Sequence, residues 1–331
     1  MDFFFFFFID YAFFLIYSLV SEIQLLYFSF EKIDMPSSKF FSLIIVSLCY
    51  FITLPLATYL VSIVHESNYF LQIALWDFFE STLLFGLALA LNGVSIIDFY
   101  WKIAPLFQIS IVTFQRYQMS NLTLKHFLSF LLMTTWALRL LYNYWRSWPG
   151  LRFLDFRVKY YQDKYGKLFF WPMAYLIFFI VSGLFLYLAK LPLLSFMIES
   201  DDIFRWEICF GWMMMIVGIT IETLADNQLY NFRKKGLKNV IFDEGLWHYC
   251  RHPNYLGEML VWWGVFLMGI EMFYEYEWIM IGVVLMTVMF AFGSAPWMDE
   301  HLSEKRKEYP EYMKKNRSSL IPWFREKEKN K

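Results

Sequence analysis

The stretch from Phe40 to Val64, FFSLIIVSLCYFITLPLATYLVSIV, carries no charged side chain, and neither does Leu168 to Leu188, LFFWPMAYLIFFIVSGLFLYL. A run of about 20 apolar residues coiled as a helix spans the hydrocarbon core of a bilayer and satisfies its own backbone hydrogen bonds there. These two stretches set the fold class as an all-α, polytopic membrane helical bundle. Working outward, further spans are expected at Phe3–Val20, Phe78–Ile97, Ile103–Gln118, Phe127–Trp145, Ile208–Thr223, Leu256–Ile270 and Trp278–Pro296, giving eight to ten helices. Leu256–Ile270 is short and is followed by acidic residues from Glu271 to Glu277, so it is expected to form a hairpin with the next helix. Pro105 suits a first helical turn, and Pro172 and Pro192 are expected to bracket a span, where a missing N–H costs little. Composition agrees: 59% of the 331 residues are hydrophobic and 23% aromatic, against roughly 45–50% apolar in soluble domains.

Loop charges orient the chain, because short cytosolic loops collect Lys and Arg. Arg146, Arg152, Arg157, Lys159, Lys164 and Lys167 outnumber Asp155 and Asp163 in one loop. Two spans on come Arg233, Lys234, Lys235, Lys238 and Arg251, and then the basic tail from Lys305. The alternate loops are acidic, with Glu199, Asp201 and Asp202 in one and Glu271, Glu275 and Glu277 in the other. The basic segments therefore share the cytosolic face, and the C-terminus is expected there.

Several chemistries find no support. A net charge of −1 says little about partners, because the asymmetry lies between the two faces, and nucleic acid is not expected as a partner. Cys49, Cys209 and Cys250 have neither the even count of a disulfide framework nor C-x-x-C spacing, so no metal site is expected. The six phenylalanines after Asp2 lack the basic flank of a signal peptide and read as a retained membrane segment. Phosphate loops, serine elbows and H-E-x-x-H are absent from the sequence.

The chemistry must then come from charges in apolar context, which are costly and face polar cavities. Asp77, Glu80, Asp98, Arg139, Glu207, Glu222 and Asp226 qualify, with Asp98 and Lys102 flanking an expected loop where Lys102 is solvated. Arg139 sits mid-span, three residues after Trp136, and needs an anion or a buried carboxylate. Glu222, Ala225, Asp226 and Gln228 end one helix before the basic turn Arg233-Lys234-Lys235-Gly236, a polar end that suits ribose and phosphate recognition as well as plain solvation.

The densest constellation is Gly245-Leu246-Trp247-His248-Tyr249-Cys250-Arg251-His252-Pro253-Asn254-Tyr255-Leu256-Gly257-Glu258. Arg251 can pair with phosphate, His252 can exchange a proton, Asn254 can bond an amide or hydroxyl, and Tyr255 offers a ring or a phenolic proton. Pro253 sets a helix start, with Glu258 one turn past Asn254. The plainer reading makes Arg251 a membrane-face anchor and His252 a cap.

This run, with Trp262-Trp263-Gly264, resembles the C-terminal signature of steroid 5-alpha-reductase-like membrane proteins, in their largely uncharacterised branch. Asp98, Trp101, Pro105, Trp136, Arg139, Glu222, Ala225, Asp226, Gln228, Tyr309, Tyr312 and Ile321-Pro322 extend the resemblance over residues 96–325. Residues 1–95 form poorly matched N-terminal transmembrane segments, and 326–331 a charged cytosolic tail. The resemblance implies NADPH held by the C-terminal helices from the cytosolic side and reduction of a carbon–carbon double bond in a lipid or steroid-like enone.

By the same resemblance Arg233, Trp247, His252, Asn254, Tyr255, Asp299 and Tyr312 are cofactor contacts. The residue chemistry read above adds Arg139, Glu222, Asp226, Gln228, Arg251 and Glu258 to the expected cofactor site, and offers His252 and Tyr255 as catalytic proton donors, although the resemblance gives those two a cofactor-binding role. Two departures stand out. A lysine of the sterol-reductase relatives falls at about Leu229, and the acidic-Trp-Arg element of this branch is replaced by Gly150-Leu151-Arg152-Phe153-Leu154-Asp155-Phe156-Arg157. Hydride would come from NADPH, while the protein supplies orientation and a dry cavity. Membrane lipids and a hydrophobic small-molecule substrate are the expected partners.

Two other readings stay open. Isoprenylcysteine carboxyl methyltransferases, which bind S-adenosylmethionine, share an Arg-His-Pro-x-Tyr turn, and Asp299-Glu300 stands where they carry Glu-Glu. A non-catalytic lipid-binding protein of the same fold is the third reading. Lys327-Glu328-Lys329-Asn330-Lys331 resembles an endoplasmic reticulum retrieval signal, and that membrane is the expected location. The sequon Asn121-Leu122-Thr123 falls on the lumenal side, too near the membrane to be used.

Overall fold

The computed structural model describes residues 39–199, 205–237 and 240–322. The expected span Phe3–Val20, the acidic pair Asp201 and Asp202, Lys238 and the charged tail 326–331 lie outside them. Every regular element among the described residues is helical, so the chain is an all-α, multi-pass membrane protein. Among the described residues six helical stretches are long and apolar enough to cross a bilayer: Lys39–Val64, Tyr69–Ala90, Val94–Gln118, Phe169–Glu199, Trp206–Lys234 and Glu277–Lys305.

The helices are α1 (Lys39–Val64), α2 (Tyr69–Ala90), α3 (Tyr100–Gln118), α4 (Leu124–Ser147), α5 (Phe156–Ala174), α6 (Ser182–Glu199), α7 (Trp206–Lys234), α8 (Pro253–Met268), α9 (Glu271–Glu275), α10 (Ile281–Val288), α11 (Ala295–Lys305) and α12 (Tyr309–Lys315). Helix α4 coincides with the expected span Phe127–Trp145 but carries Lys125 and Arg139, and α8 has only 16 residues. Neither therefore meets the length and hydropathy of the six.

Hydropathy alone places α2 about two turns too late, because its charges look like an aqueous edge. The helix starts at Tyr69, where the Asn68 side chain accepts from Leu71 N, and stops before Asn92, whose φ of 47° breaks the repeat. Asp77 and Glu80 thus fall mid-helix and are buried. The prolines also differ from expectation. Pro105 lies past the first turn of α3, and Pro172 and Pro192 lie inside α5 and α6. A π-helical turn, Tyr175–Val181, follows Pro172 and absorbs the lost donor.

The described chain divides into two compact units. The first holds residues up to Ala104 together with Tyr144–Leu184. Here the buried Glu80 and Asp77 and the half-buried Asp98 each accept from a hydroxyl: Thr53 Oγ1 to Glu80 at 2.7 Å, Tyr100 to Asp77 at 2.6 Å and Tyr144 to Asp98 at 2.6 Å. Lys102, expected in solvent, is buried, with its ammonium on the Asp98 carbonyl and 4.3 Å from the centre of the Tyr144 ring.

The second unit holds Pro105–Asn143 and the described residues from Phe185 on. Its spine is the antiparallel pair α7 and α8, whose backbones meet directly at two glycine pairs. A methyl group added to Gly211 would lie 2.7 Å from the Gly264 carbonyl oxygen, and one added to Gly218 would lie 2.6 Å from that of Gly257. Helices usually pack with axes about 8–10 Å apart, and small residues on both faces let the backbones touch. Helix α10 packs against α8 as the second arm of the expected hairpin.

Candidate functional site

Beyond α7 the chain returns through a 3-10 turn, Gly245–His248, seated on that helix. Gly245 has φ of +60°, and any Cβ there would strike the Gln228 carboxamide, 2.5 Å away. Gln228 Oε1 in turn accepts from Leu246 N at 3.0 Å, so Gln228 anchors the turn. Trp247 donates its indole N–H to the Ala225 carbonyl at 3.0 Å, which ties the turn to the next level of α7.

Arg251 and His252 precede Pro253, the first residue of α8. Their backbone N–H groups donate to the Ser318 and Ser319 carbonyls at 3.0 and 2.9 Å, so the segment after α12 lies alongside them. The Arg251 guanidinium is buried, and each of its three nitrogens has a partner. Nε lies 3.2 Å from both Asp299 oxygens, Nη2 donates to Oδ2 at 2.9 Å, and Nη1 donates to the Asn316 carbonyl at 2.6 Å. His252 Nε2 lies 2.9 Å from Asp299 Oδ1, and the Tyr309 hydroxyl donates to the same oxygen at 2.6 Å. Burial, with the Asp299 carboxylate beside it, holds the Tyr309 phenol well above the usual range and so in its donating form. Tyr312 and Asn316 Nδ2 both donate to the Trp247 carbonyl, at 2.9 and 3.2 Å.

Around this frame lies a cavity of about 150 Å³, whose lining includes Arg233, Trp247, Arg251, His252, Asn254, Tyr255, Arg306, Tyr309 and Tyr312. Phe232 and Phe242 stack at 4.8 Å on its wall, and the His252 and Tyr255 rings stack at 5.2 Å, 11° from parallel. Asn254 Oδ1 is buried without a hydrogen-bond partner. Among the described residues neither Arg233 nor Arg306 is paired with a carboxylate. The cavity thus combines an unused acceptor, two guanidinium groups outside any carboxylate ion pair among the described residues, and flat aromatic faces.

The other expected site residues gather elsewhere. Arg139 of α4 lies 2.5 Å from Glu222 and 3.1 Å from Asp226, and Asn143 donates to Asp226 at 2.6 Å. Glu258 accepts the indole N–H groups of Trp136 at 3.0 Å and Trp262 at 3.1 Å. Arg139, Glu222, Asp226 and Glu258 therefore form one buried network with the α7–α8 seam at its centre, and Gln228 and Asp299 serve as anchors. None of these six lines the cavity, whereas Arg233, Trp247, Arg251, His252, Asn254, Tyr255 and Tyr312 do. Sequence reasoning missed Arg306 and Asn316, polar residues in a polar stretch that gave no signal.

The family model described as "Protein of unknown function (DUF1295)" matches residues 84–318. A steroid 5-alpha-reductase DET2 of Gossypium hirsutum is 26% identical over 131 residues, 38% of this chain and 46% of that protein. The 3-oxo-5-alpha-steroid 4-dehydrogenase 1 of Mus musculus is 31% identical over 180 residues, 52% of this chain and 63% of that protein. An uncharacterised protein of Schizosaccharomyces pombe is 25% identical over 229 residues, 62% and 66% of the two chains. The matches thus span between about half and two thirds of these relatives. No solved structure matches.

Proposed function

Because the chain belongs to the DUF1295 family, which is steroid 5-alpha-reductase-like, we propose that it is a membrane reductase in which NADPH reduces a carbon–carbon double bond of a lipid-soluble enone. The observation that carries this reading is Asn254 Oδ1, buried and unpartnered on the cavity wall. A buried acceptor without a donor costs about 1–3 kcal/mol, and a carboxamide or sugar hydroxyl would relieve it.

The remaining lining fits the same cofactor. Arg233 and Arg306 would neutralise its phosphates, and the Phe232–Phe242 stack and Trp247 offer flat faces to its rings. When bound, NADPH supplies the hydride. Arg251 holds the turn in place through Asp299 and Asn316, so Asn254 and His252 face the cavity in fixed positions. His252 and Tyr255 are the groups that can exchange a proton with a substrate there. Lateral entry from the bilayer suits a hydrophobic substrate, and the excess of Lys and Arg in the loops around Arg233 and Arg251 supports a cytosolic cavity mouth.

The test is titration of NADPH, and separately of S-adenosylmethionine, into the detergent-purified full chain and its Asn254→Ala variant. The expected result is NADPH binding weakened by about tenfold or more in the variant, the equivalent of one lost hydrogen bond in a dry site. Binding of S-adenosylmethionine alone would move the protein to the methyltransferase class. Binding of neither by folded protein would leave a non-catalytic lipid-binding role.

A further inference from the structure

Asp299 is buried, and its carboxylate is saturated. Oδ1 receives the Tyr309 hydroxyl at 2.6 Å, His252 Nε2 at 2.9 Å and Arg251 Nε at 3.2 Å, and Oδ2 receives Arg251 Nη2 at 2.9 Å with Nε shared at 3.2 Å. A carboxylate offers about four lone-pair sites, so none is left for a bound molecule, and Asp299 does not line the cavity. A carboxylate is acceptor only, which requires His252 Nε2 to carry its proton. The other ring nitrogen then has one protonation choice instead of two, because the partner of one nitrogen sets the state of the other.

We propose that Asp299 is a positioning residue that fixes His252 in the Nε2–H form, so that Nδ1 is the only ring nitrogen available to a molecule in the cavity. Neutral His252 is then a hydrogen-bond acceptor toward that molecule, and a donor exists there only as the imidazolium. The ring cannot turn over to swap its nitrogens, because it is stacked on Tyr255 and Nε2 is held within the same carboxylate as Arg251. This role rests on the site proposed above, but its test needs no cofactor and no substrate.

The measurement is the ¹⁵N spectrum of the full chain labelled at histidine, in detergent above neutral pH, with His252→Gln to identify the signal. The expected spectrum shows Nε2 protonated and Nδ1 bare. Asp299→Asn can donate to Nε2 through its amide and is expected to shift the proton to Nδ1, while Asp299→Glu restores the original pattern. Tyr309→Phe, which removes a donor without altering charge, is expected to keep it, and guards against misfolding of the Asp299 variants. A protonated Nδ1 or an even mixture of tautomers in the unsubstituted protein would overturn the proposal, as would an unchanged spectrum in folded Asp299→Asn. If NADPH fails to bind while the spectrum is as expected, the reductase reading falls and the positioning role stands.

Discussion

Arg233 and Asn254 face the same cavity but differ in what their loss should do. Arg233→Gln removes a cation that makes no protein ion pair, so the melting temperature should change little while NADPH affinity drops several-fold and its salt dependence flattens, as binding isotherms at two ionic strengths would show. Arg251→Gln is a different experiment, because it leaves the buried Asp299 without its guanidinium; the expected outcome is loss of folded protein, visible in size-exclusion profiles. Cys250 gives the pH test. Burial raises its thiol from 9.0 to about 11, against smaller lowering contributions from the His252 backbone and Arg251. The folded state therefore disfavours the thiolate, and its stability should be constant below pH 9 and fall as pH rises from 9 toward 11, measured by thermal unfolding. Alkylation of Cys250 in folded protein should be slow at pH 8 for the same reason. The run Arg251 to Tyr255 was legible in sequence because polar groups interrupt an apolar stretch. Arg306 and Asn316 were not, since each sits among other polar residues and only the return of α12 onto the 3-10 turn buries Asn316.

At the level of the element, the α7–α8 seam makes the sharpest forecast. Gly218→Val would press branched carbons into the Gly257 carbonyl, so the detergent-solubilised protein should unfold many degrees earlier, whereas Gly86→Ala, with nothing within 4 Å of its added carbon, should match or exceed the parent. Arg139→Met strands two carboxylates in the α4–α7 contact and should cost about 3–5 kcal/mol, read from denaturant unfolding. The seven-residue spacing of Gly211 with Gly218, and of Gly257 with Gly264, is present in the sequence. It is silent there, because glycine carries no hydropathy signal and its meaning appears only when two such helices meet. The displacement of α2 has the opposite cause: Asp77 and Glu80 look like a membrane edge, and only hydroxyl partners from α1 and α3 make them tolerable inside.

Across the whole molecule, the alternation of basic and acidic loops predicts opposite exposures for positions in the second unit. Leu237→Cys and Tyr274→Cys, both exposed, should be labelled by an impermeant maleimide from opposite sides of sealed vesicles, and labelling from one side would refute the topology. Asn121, expected on the lumenal side, should carry no glycan: its carbonyl accepts from Arg116, 3.2 Å away, and the Thr123 hydroxyl lies 2.8 Å from His126 Nδ1, so glycosidase treatment should leave the mobility unchanged. The fold class was legible because hydropathy is additive along a chain, while cavity walls depend on which helices share a side. The carbonyl-to-glycine contact of α7 with α8 has a mechanical consequence. With backbone on backbone at two levels and the Met215, Val261 and Met268 side chains packed beside those contacts, the two helices act as a single stiff beam that resists shear. Trp247 hangs from one half of that beam and Asn254 projects from the other, so a guest in the cavity finds that wall unyielding. Admission and release then fall to the opposite wall, where α11 and α12 bring Leu302, Tyr309 and Tyr312; a cross-link within the beam should leave ligand exchange rates unchanged, and one pinning α12 to the 3-10 turn should slow them.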